Sequence, residues 1–274
     1  MHLASLYRFP LKSGSAELLE HARCDELGLC GDRRWMVVDA ASGKFLTQRM
    51  LPRMALLDAR WQGDAALLLT GPGMDALRVA VPEQGAVERG VLIWRESVRV
   101  PDAGDAAAGW LTRMLGRPCR LVHLPTSRGI QVDQDYARPG ERTAFSDGFP
   151  FLLIGQRSLD DLSARVGQLL DARRFRPNLV IAGAAPYAED GWRRIRIGDL
   201  TFRVVKPCSR CIIPTIDPLS GERNPDREPL ATLMSYRKGE GGVFFGQNLI
   251  AEGTGLLQVG MPVEVLEQAY PEQR

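Results

Sequence analysis

The sequence predicts a mixed α/β chain, rich in β-structure and divided into two parts. Short apolar runs recur between Gly, Pro, Asp and Gln at the spacing of a barrel or sandwich. Glycine (28) and proline (18) are plentiful, which suits turns better than long helices. Helical periodicity is confined to three segments, Asp105 to Leu115, Ser158 to Leu170, and Pro229 to about Tyr236. At 274 residues there is material for one large domain or two modest ones.

Residues 1–13 read as a strand carrying Leu3, Leu6 and Phe9, broken by Pro10. A second strand is predicted over residues 33–39, entered through Gly28 and Gly31, with further short strands around 54–61, 65–70, 77–81 and 91–100. The Ala-rich helix from Asp105 places Trp110, Leu111 and Met114 on one face. Pro118 and Cys119 then open the strand Leu121-Val122-His123, and residues 126–147 read as a long polar loop. Phe151 to Ile154 is a buried strand. The Ser158-x-x-Asp161 pattern reads as a helix cap, with Leu159, Leu162, Val166, Leu169 and Leu170 at helical spacing. Leu179 to Ile181 is the next strand, and 193–197 with 200–205 form a hairpin over Gly198-Asp199. After the third helix, strands near 243–250 and 256–266 close the sequence. A boundary near 115–125 separates a strand-rich first half from a mixed second half.

Lys+Arg 35 against Asp+Glu 33 gives a net charge of +2, too balanced for a protein that coats nucleic acid. Anion binding must therefore come from local clusters, and nearly all the positive charge is arginine, suited to bidentate phosphate contacts. No run approaches the roughly 20 apolar residues of a membrane span. The first 14 residues lack the apolar core of a secretory signal. Five cysteines, an odd number in a long chain, imply no disulfide framework, so a reducing cytoplasm is the expected compartment.

The densest chemistry lies in Lys206-Pro207-Cys208-Ser209-Arg210-Cys211-Ile212-Ile213-Pro214-Thr215-Ile216-Asp217. β-Branched residues and Pro214 come after the second cysteine, which predicts a loop feeding an extended segment. That context conflicts with a thioredoxin-type redox pair, which needs a helix N-terminus behind the thiol. Structural zinc needs a second pair of ligands, and Cys119 with His123 is the one candidate, an alternative that stays open. Two merely packed cysteines fit poorly beside Lys206 and Arg210, cations that suit an ionised sulfur and hence a soft metal. Lys12-Ser13, Arg33 and Arg176-Pro177-Asn178 read singly as solvated surface groups, yet together they would suit a phosphate, and Asn178 the edge of a heterocycle.

The stretch 206–218 resembles the signature of the MOSC-domain molybdenum proteins. Phe-Arg-Pro-Asn (175–178), Ser-Asp-Gly-Phe-Pro-Phe (146–151), Tyr-Ala-Glu-Asp-Gly-Trp (187–192), Ile-Gly-Asp (197–199) and Val-Phe-Phe-Gly-Gln-Asn (243–248) are similar in the same order. Tyr-Arg-Phe-Pro-Leu-Lys-Ser (7–13) and Gly-Asp-Arg-Arg-Trp (31–35) resemble that family's N-terminal β-barrel partner. The pattern is nearest to the YcbX-type and mitochondrial amidoxime-reducing branch. The resemblance implies an N-terminal β-barrel-like domain over 1–118 and a MOSC-type β-barrel domain over 119–270. It also implies a molybdenum cofactor, Mo-molybdopterin, with Cys211 as the protein's ligand to the metal. Lys12, Ser13, Arg33, Arg176, Asn178, Ser209 and Arg210 match positions that hold the pterin and its phosphate. Gly148 and Phe149 stand where relatives carry hydroxyl residues, which leaves backbone amides for any contact there. The implied reaction is the two-electron reduction of an N-hydroxylated small molecule to an amine or amidine. Asp217 enters as a candidate catalytic group that handles protons or supports the ligand, or as a turn carboxylate before Pro218. No cysteine follows Cys211, so the expected electron source is a separate reductase or ferredoxin-type protein.

Overall fold

A computed structural model describes residues 1–93 and 96–269. Its largest feature is a nine-stranded sheet. In spatial order the strands are Glu17–Leu19, His2–Arg8, Leu179–Ala182, Phe151–Gly155, Gly242–Ala251, Leu200–Ser209, Trp192–Ile197 and Val263–Gln268, with Lys238–Gly239 beside Gly242–Ala251. Phe151–Gly155 and Leu179–Ala182 run parallel, and helix Gln156–Val166 makes the crossover that a parallel pair requires. The sheet curls: His2 bridges Pro262, and the Leu3 amide donates to the Met261 carbonyl at 2.9 Å, so an outer strand approaches the far edge. This is the β-rich mixed α/β architecture that the composition predicts.

The alternation of apolar residues fixes which face is inside. Leu3, Leu6, Phe151, Leu153, Ile195, Phe202 and Leu249 fill the curl, and the Phe151 and Phe202 rings meet edge-to-face at 5.2 Å. Each such side chain contributes about 1.5–3 kcal/mol by burial. The opposite face packs Ile154, Phe175, Val180 and Phe245 against Leu159 and Leu162 of the crossover helix. In the first half, Trp35–Asp39 pairs with Cys119–His123, the strands Asp58–Trp61, Ala66–Gly71 and Met74–Ala80 form a meander, and Glu88–Ile93 pairs with Glu96–Pro101. Helix Asp105–Leu115 buries Trp110, Leu111 and Met114 there, as its periodicity predicts, and ends at Gly116 in the left-handed conformation. Pairing crosses the 118/119 boundary in both directions. His2–Arg8 joins Leu179–Ala182, while Cys119–His123 joins Trp35–Asp39.

Several local expectations change. Met54 to Leu56 belong to a 3-10 turn, Pro52–Leu56, because Pro52 supplies a helical φ at its start. The second helix begins at Gln156, and Ser158 does not cap it. The Ser158 hydroxyl instead donates to Glu189 (2.9 Å) and accepts from the Tyr187 amide (2.8 Å). Gly167, at φ +78°, stops that helix, which leaves Leu169 outside it and 97% exposed. The 126–147 stretch carries a small ladder, Ile130–Gln131 with Arg142–Thr143. Trp94 and Arg95 of the predicted 91–100 strand, and residue 270 of the predicted second domain, lie outside the described residues.

The His123 ring lies 4.6 Å from that of Trp35, tilted at 51°, and its buried Nδ1 has no hydrogen-bond partner among the described residues. Burial, and next the Arg34 cation, hold its pKa down at about 4. The unfolded chain takes up this proton near pH 6.5 and the folded protein only near pH 4, so the stability it contributes is fully present above 6.5. Urea midpoints should therefore fall as pH drops from about 6.5 to about 4, and should fall less in His123→Phe. Equal slopes for the two proteins would contradict this assignment.

Candidate functional site

The Leu200–Ser209 strand is where the site begins. It pairs with Gly242–Ala251, but the register slips between Val204 and Lys206 and again between Pro207 and Ser209. The second slip is a bulge centred on Cys208, a device that re-aims side chains at the end of a strand. Contrary to the loop predicted for both cysteines, Cys208 lies within the strand. Beyond Cys211 the chain enters a 3-10 turn, Ile213–Thr215, instead of an extended segment. Pro214 starts that turn with its fixed φ, and the Thr215 hydroxyl donates to the Ile212 carbonyl at 2.7 Å, which together outweigh β-propensity. Gly242 makes room for the strand end, since a Cβ there would lie 2.5 Å from the Ser209 hydroxyl.

These residues open on a cavity of about 460 Å³. Lys12, Ser13, Arg33, Arg176, Asn178, Ser209, Arg210 and Cys211 all line it, although they come from four distant segments. The turns that deliver three of them are left-handed. Ser13 (φ 65°), Arg33 (φ 49°) and Arg176 (φ 58°) are three of the five non-glycine residues with positive φ among those described. Such backbone costs about 1–3 kcal/mol per residue and persists where the surroundings over-determine it.

Aromatic rings and carbonyls hold the guanidiniums. Arg33 and Arg176 both lie on the buried Phe9 ring, at 4.7 and 4.2 Å from its centre, and Arg210 lies 5.4 Å from Phe175. Arg33 pairs with Asp32 (2.5 Å) and donates to the Arg176 carbonyl (3.0 Å). Arg176 donates to the Gly14 carbonyl (2.6 Å), yet its buried Nη2 has no partner among the described residues. Arg210 donates to the Phe175 carbonyl (2.7 Å) and to the Cys208 sulfur (2.9 Å), while its Nε is likewise unpartnered. Burial, and then the Arg33 cation, pushes Arg176 down to about 9. A guanidinium does not give up its proton near neutrality. The guanidinium stays charged, and burial beside other cations makes that charge costly to hold. Lys12 is also pushed down by burial, an effect Asp147 opposes through an ion pair.

The two cysteines are not equivalent. The Cys208 sulfur is engaged by Arg210, whereas among the described residues the Cys211 sulfur accepts or donates no hydrogen bond. Asn178 lines the cavity, and most of its side chain is engaged. The amide oxygen accepts from Leu152 N and Arg33 Nη1 (each 3.2 Å), and the nitrogen donates to the Tyr7 carbonyl (3.2 Å). It positions Arg33 and joins strands, and one of its two amide hydrogens has no partner among the described residues.

Asp217 lies outside the cavity. It pairs with Arg174 (2.6 Å), and its carboxylate accepts the Leu219 and Ser220 amides (2.8 and 3.0 Å). Although burial opposes them, these amides and Arg174 hold it below the ordinary carboxylate range, which makes it a poor proton donor near pH 7. Its bond to Arg174 ties the turn after Cys211 to the segment that delivers Arg176. Cys119 and His123 lie elsewhere. Cys119 sits in the first-half core beside Thr112, and His123 borders a separate cavity. Among the described residues no three His, Cys, Asp or Glu side chains are placed to hold a metal ion. Thr47 and Arg49 also line the cavity and carried no sequence signal, since only folding brings the 47–49 loop to the cysteine turn.

The unpartnered guanidinium nitrogens, the soft unengaged sulfur and the surrounding cations fit a phosphate-bearing group that is bound through sulfur. Inorganic phosphate should stabilise the cofactor-free protein, by about 2.7 kcal/mol at a hundredfold excess over Kd. In a thermal-shift titration the response should largely vanish in Arg176→Met. An undiminished shift in that variant would contradict the anion site.

Two family models match the sequence, the MOSC N-terminal beta barrel domain over residues 1–118 and the MOSC domain over 140–264. The chain is 36% identical to mitochondrial amidoxime-reducing component 1 of Homo sapiens, over 97% of this chain and 83% of that protein. It is 34% identical to the Mus musculus counterpart, over 97% and 82%. Similarity to the molybdenum cofactor sulfurase of Oryza sativa subsp. japonica is 31% over 99% of this chain, which spans 35% of that protein.

Proposed function

The chain belongs to the MOSC family, and on that premise we propose that it is a molybdenum cofactor-dependent reductase of N-hydroxylated compounds. The observation that carries the reading is the convergence of Cys211 with buried, partly unpartnered guanidiniums in one cavity. The chain divides into an N-terminal MOSC barrel domain over 1–118 and a cofactor-binding MOSC domain over 119–270.

Cys211 binds the metal, and Arg176 and Arg210 take the cofactor phosphate with the nitrogens that lack partners. Lys12, Ser13, Arg33 and Ser209 complete the cradle, and Asn178 keeps Arg33 in place. When bound, the cofactor supplies the two-electron redox chemistry. The residues around it keep it oriented, offset its charge and set the shape of the space left for substrate. In the net reaction one N–O bond is broken, two electrons and two protons enter, and an N–H bond and water are formed. The electrons come from a separate reductase or ferredoxin-type protein. Among the described residues no helix is long and apolar enough to cross a membrane, and free cysteines suit a reducing compartment such as the cytoplasm.

A carrier of the cofactor or its sulfur is the second reading, favoured by the likeness to the sulfurase. Metal content and turnover separate the two. Protein from a molybdenum-replete host should hold stoichiometric molybdenum and reduce benzamidoxime with an artificial donor. Cys211→Ala should lose the metal, whereas Cys208→Ser, which keeps an acceptor for Arg210, should retain most of it. Molybdenum without turnover favours the carrier, and equal metal loss in both variants refutes a single cysteine ligand.

A further inference from the structure

The geometry points to a substrate subsite at Lys206 and Phe149, both backed by Tyr136, that selects planar N-hydroxylated compounds carrying an anionic substituent such as a carboxylate. It rests on the reductase reading above and names the substrate class for that cavity.

Among the described residues six cations line the cavity, and five have oxygen partners. Lys12 has Phe145 O and Asp147, Arg33 has Asp32, Arg49 has Asp147, Arg176 has Gly14 O and Arg210 has Phe175 O. Lys206 has none; its ammonium rests on the Tyr136 ring, 4.2 Å from the centroid. A phosphate monoester carries about −1.5 to −2 charges near pH 7, enough for Arg176 and Arg210. Lys12 and Arg49 share Asp147, Arg33 has Asp32, and Lys206 is then the lining cation with no anion beside it among the described residues.

The rings beside it are fixed. Tyr136 and Phe149 meet edge-to-face at 5.8 Å, and Phe149 lines the cavity with Lys206. Val132 and Ala137 are buried with Ile250 and pack on Phe149. Gln131 Nε2 donates to the Val132, Arg138 and Glu141 carbonyls at 2.9, 3.1 and 3.0 Å, and Glu141 pairs with Arg203 at 2.5 Å. The 130–143 loop is thus clamped to the strand that bears Lys206. It backs Phe149 and Lys206, which line the cavity as a ring and an ammonium held in place, suited to a flat ring whose charged substituent reaches Lys206.

The test compares benzamidoxime with 4-carboxybenzamidoxime on the metal-loaded protein, its Lys206→Met variant and its Lys206→Arg variant. The wild type should prefer the carboxylate substrate. Lys206→Met should lower the kcat/KM ratio of carboxylate over neutral substrate about tenfold, mainly through KM, and Lys206→Arg should restore it. An unchanged ratio in Lys206→Met overturns the subsite. Calorimetry with 4-carboxybenzamide, which has no N–O bond to reduce, reads the subsite without turnover. Weaker binding in Lys206→Met supports the subsite even where neither amidoxime is reduced, a pattern that would overturn the reductase reading alone. Equal binding in both proteins overturns the subsite.

Discussion

The structure depends on guanidiniums buried around Phe9 and Phe175 with too few anions to neutralise them. Burying a charge is costly unless it is paired, and here rings and carbonyls meet only part of the requirement. Arg176 Nη2 and Arg210 Nε have no partner among the described residues, and the Arg33 charge beside Arg176 adds repulsion. Left-handed backbone at Ser13, Arg33 and Arg176 adds further cost. A fold that accumulates these costs at one cavity is arranged for something that offsets them, and a phosphate-bearing cofactor does so directly.

The same logic explains why the scaffold is so entangled. The cradle draws on residues 12–13, 33, 176–178 and 209–211, and each segment is fixed by long-range pairing. His2–Arg8 lies against Leu179–Ala182, so Phe9 and Arg176 arrive side by side. Trp35 N donates to the Pro10 carbonyl (3.1 Å), which sets Arg33 behind Lys12. Asp217, outside the cavity, holds the cysteine turn to the Arg176 segment through Arg174. The two halves share strands, and the site lies where they do.

Much of this is legible in the residues. Alternation and helical spacing locate most strands and the Asp105–Leu115 helix, because burial on one face dictates both patterns. Side-chain competition is not legible. Ser158 matches a capping pattern but is drawn to Glu189, and Asn178, whose amide could read a ligand, has its oxygen and one N–H taken by Leu152, Arg33 and Tyr7. Pro214 does bar a helix interior, yet the 3-10 turn it starts depends on Thr215 closing on Ile212. Within the cysteine stretch the resemblance separates Cys211 from Cys208 by position alone. The physical difference is that Arg210 engages one sulfur and leaves the other. Lys206, the one cation of the cavity lining without an oxygen partner among the described residues, is distinguishable only once the partners of the other lining cations are known.

A crystal structure of the molybdenum-loaded protein, with anomalous scattering to place the metal, tests the central claim most directly. The cofactor phosphate should lie within about 3 Å of the Arg176 and Arg210 guanidiniums, with Cys211 as the one protein sulfur on the metal. A phosphate held elsewhere, or a metal bridging Cys208 and Cys211, would contradict it.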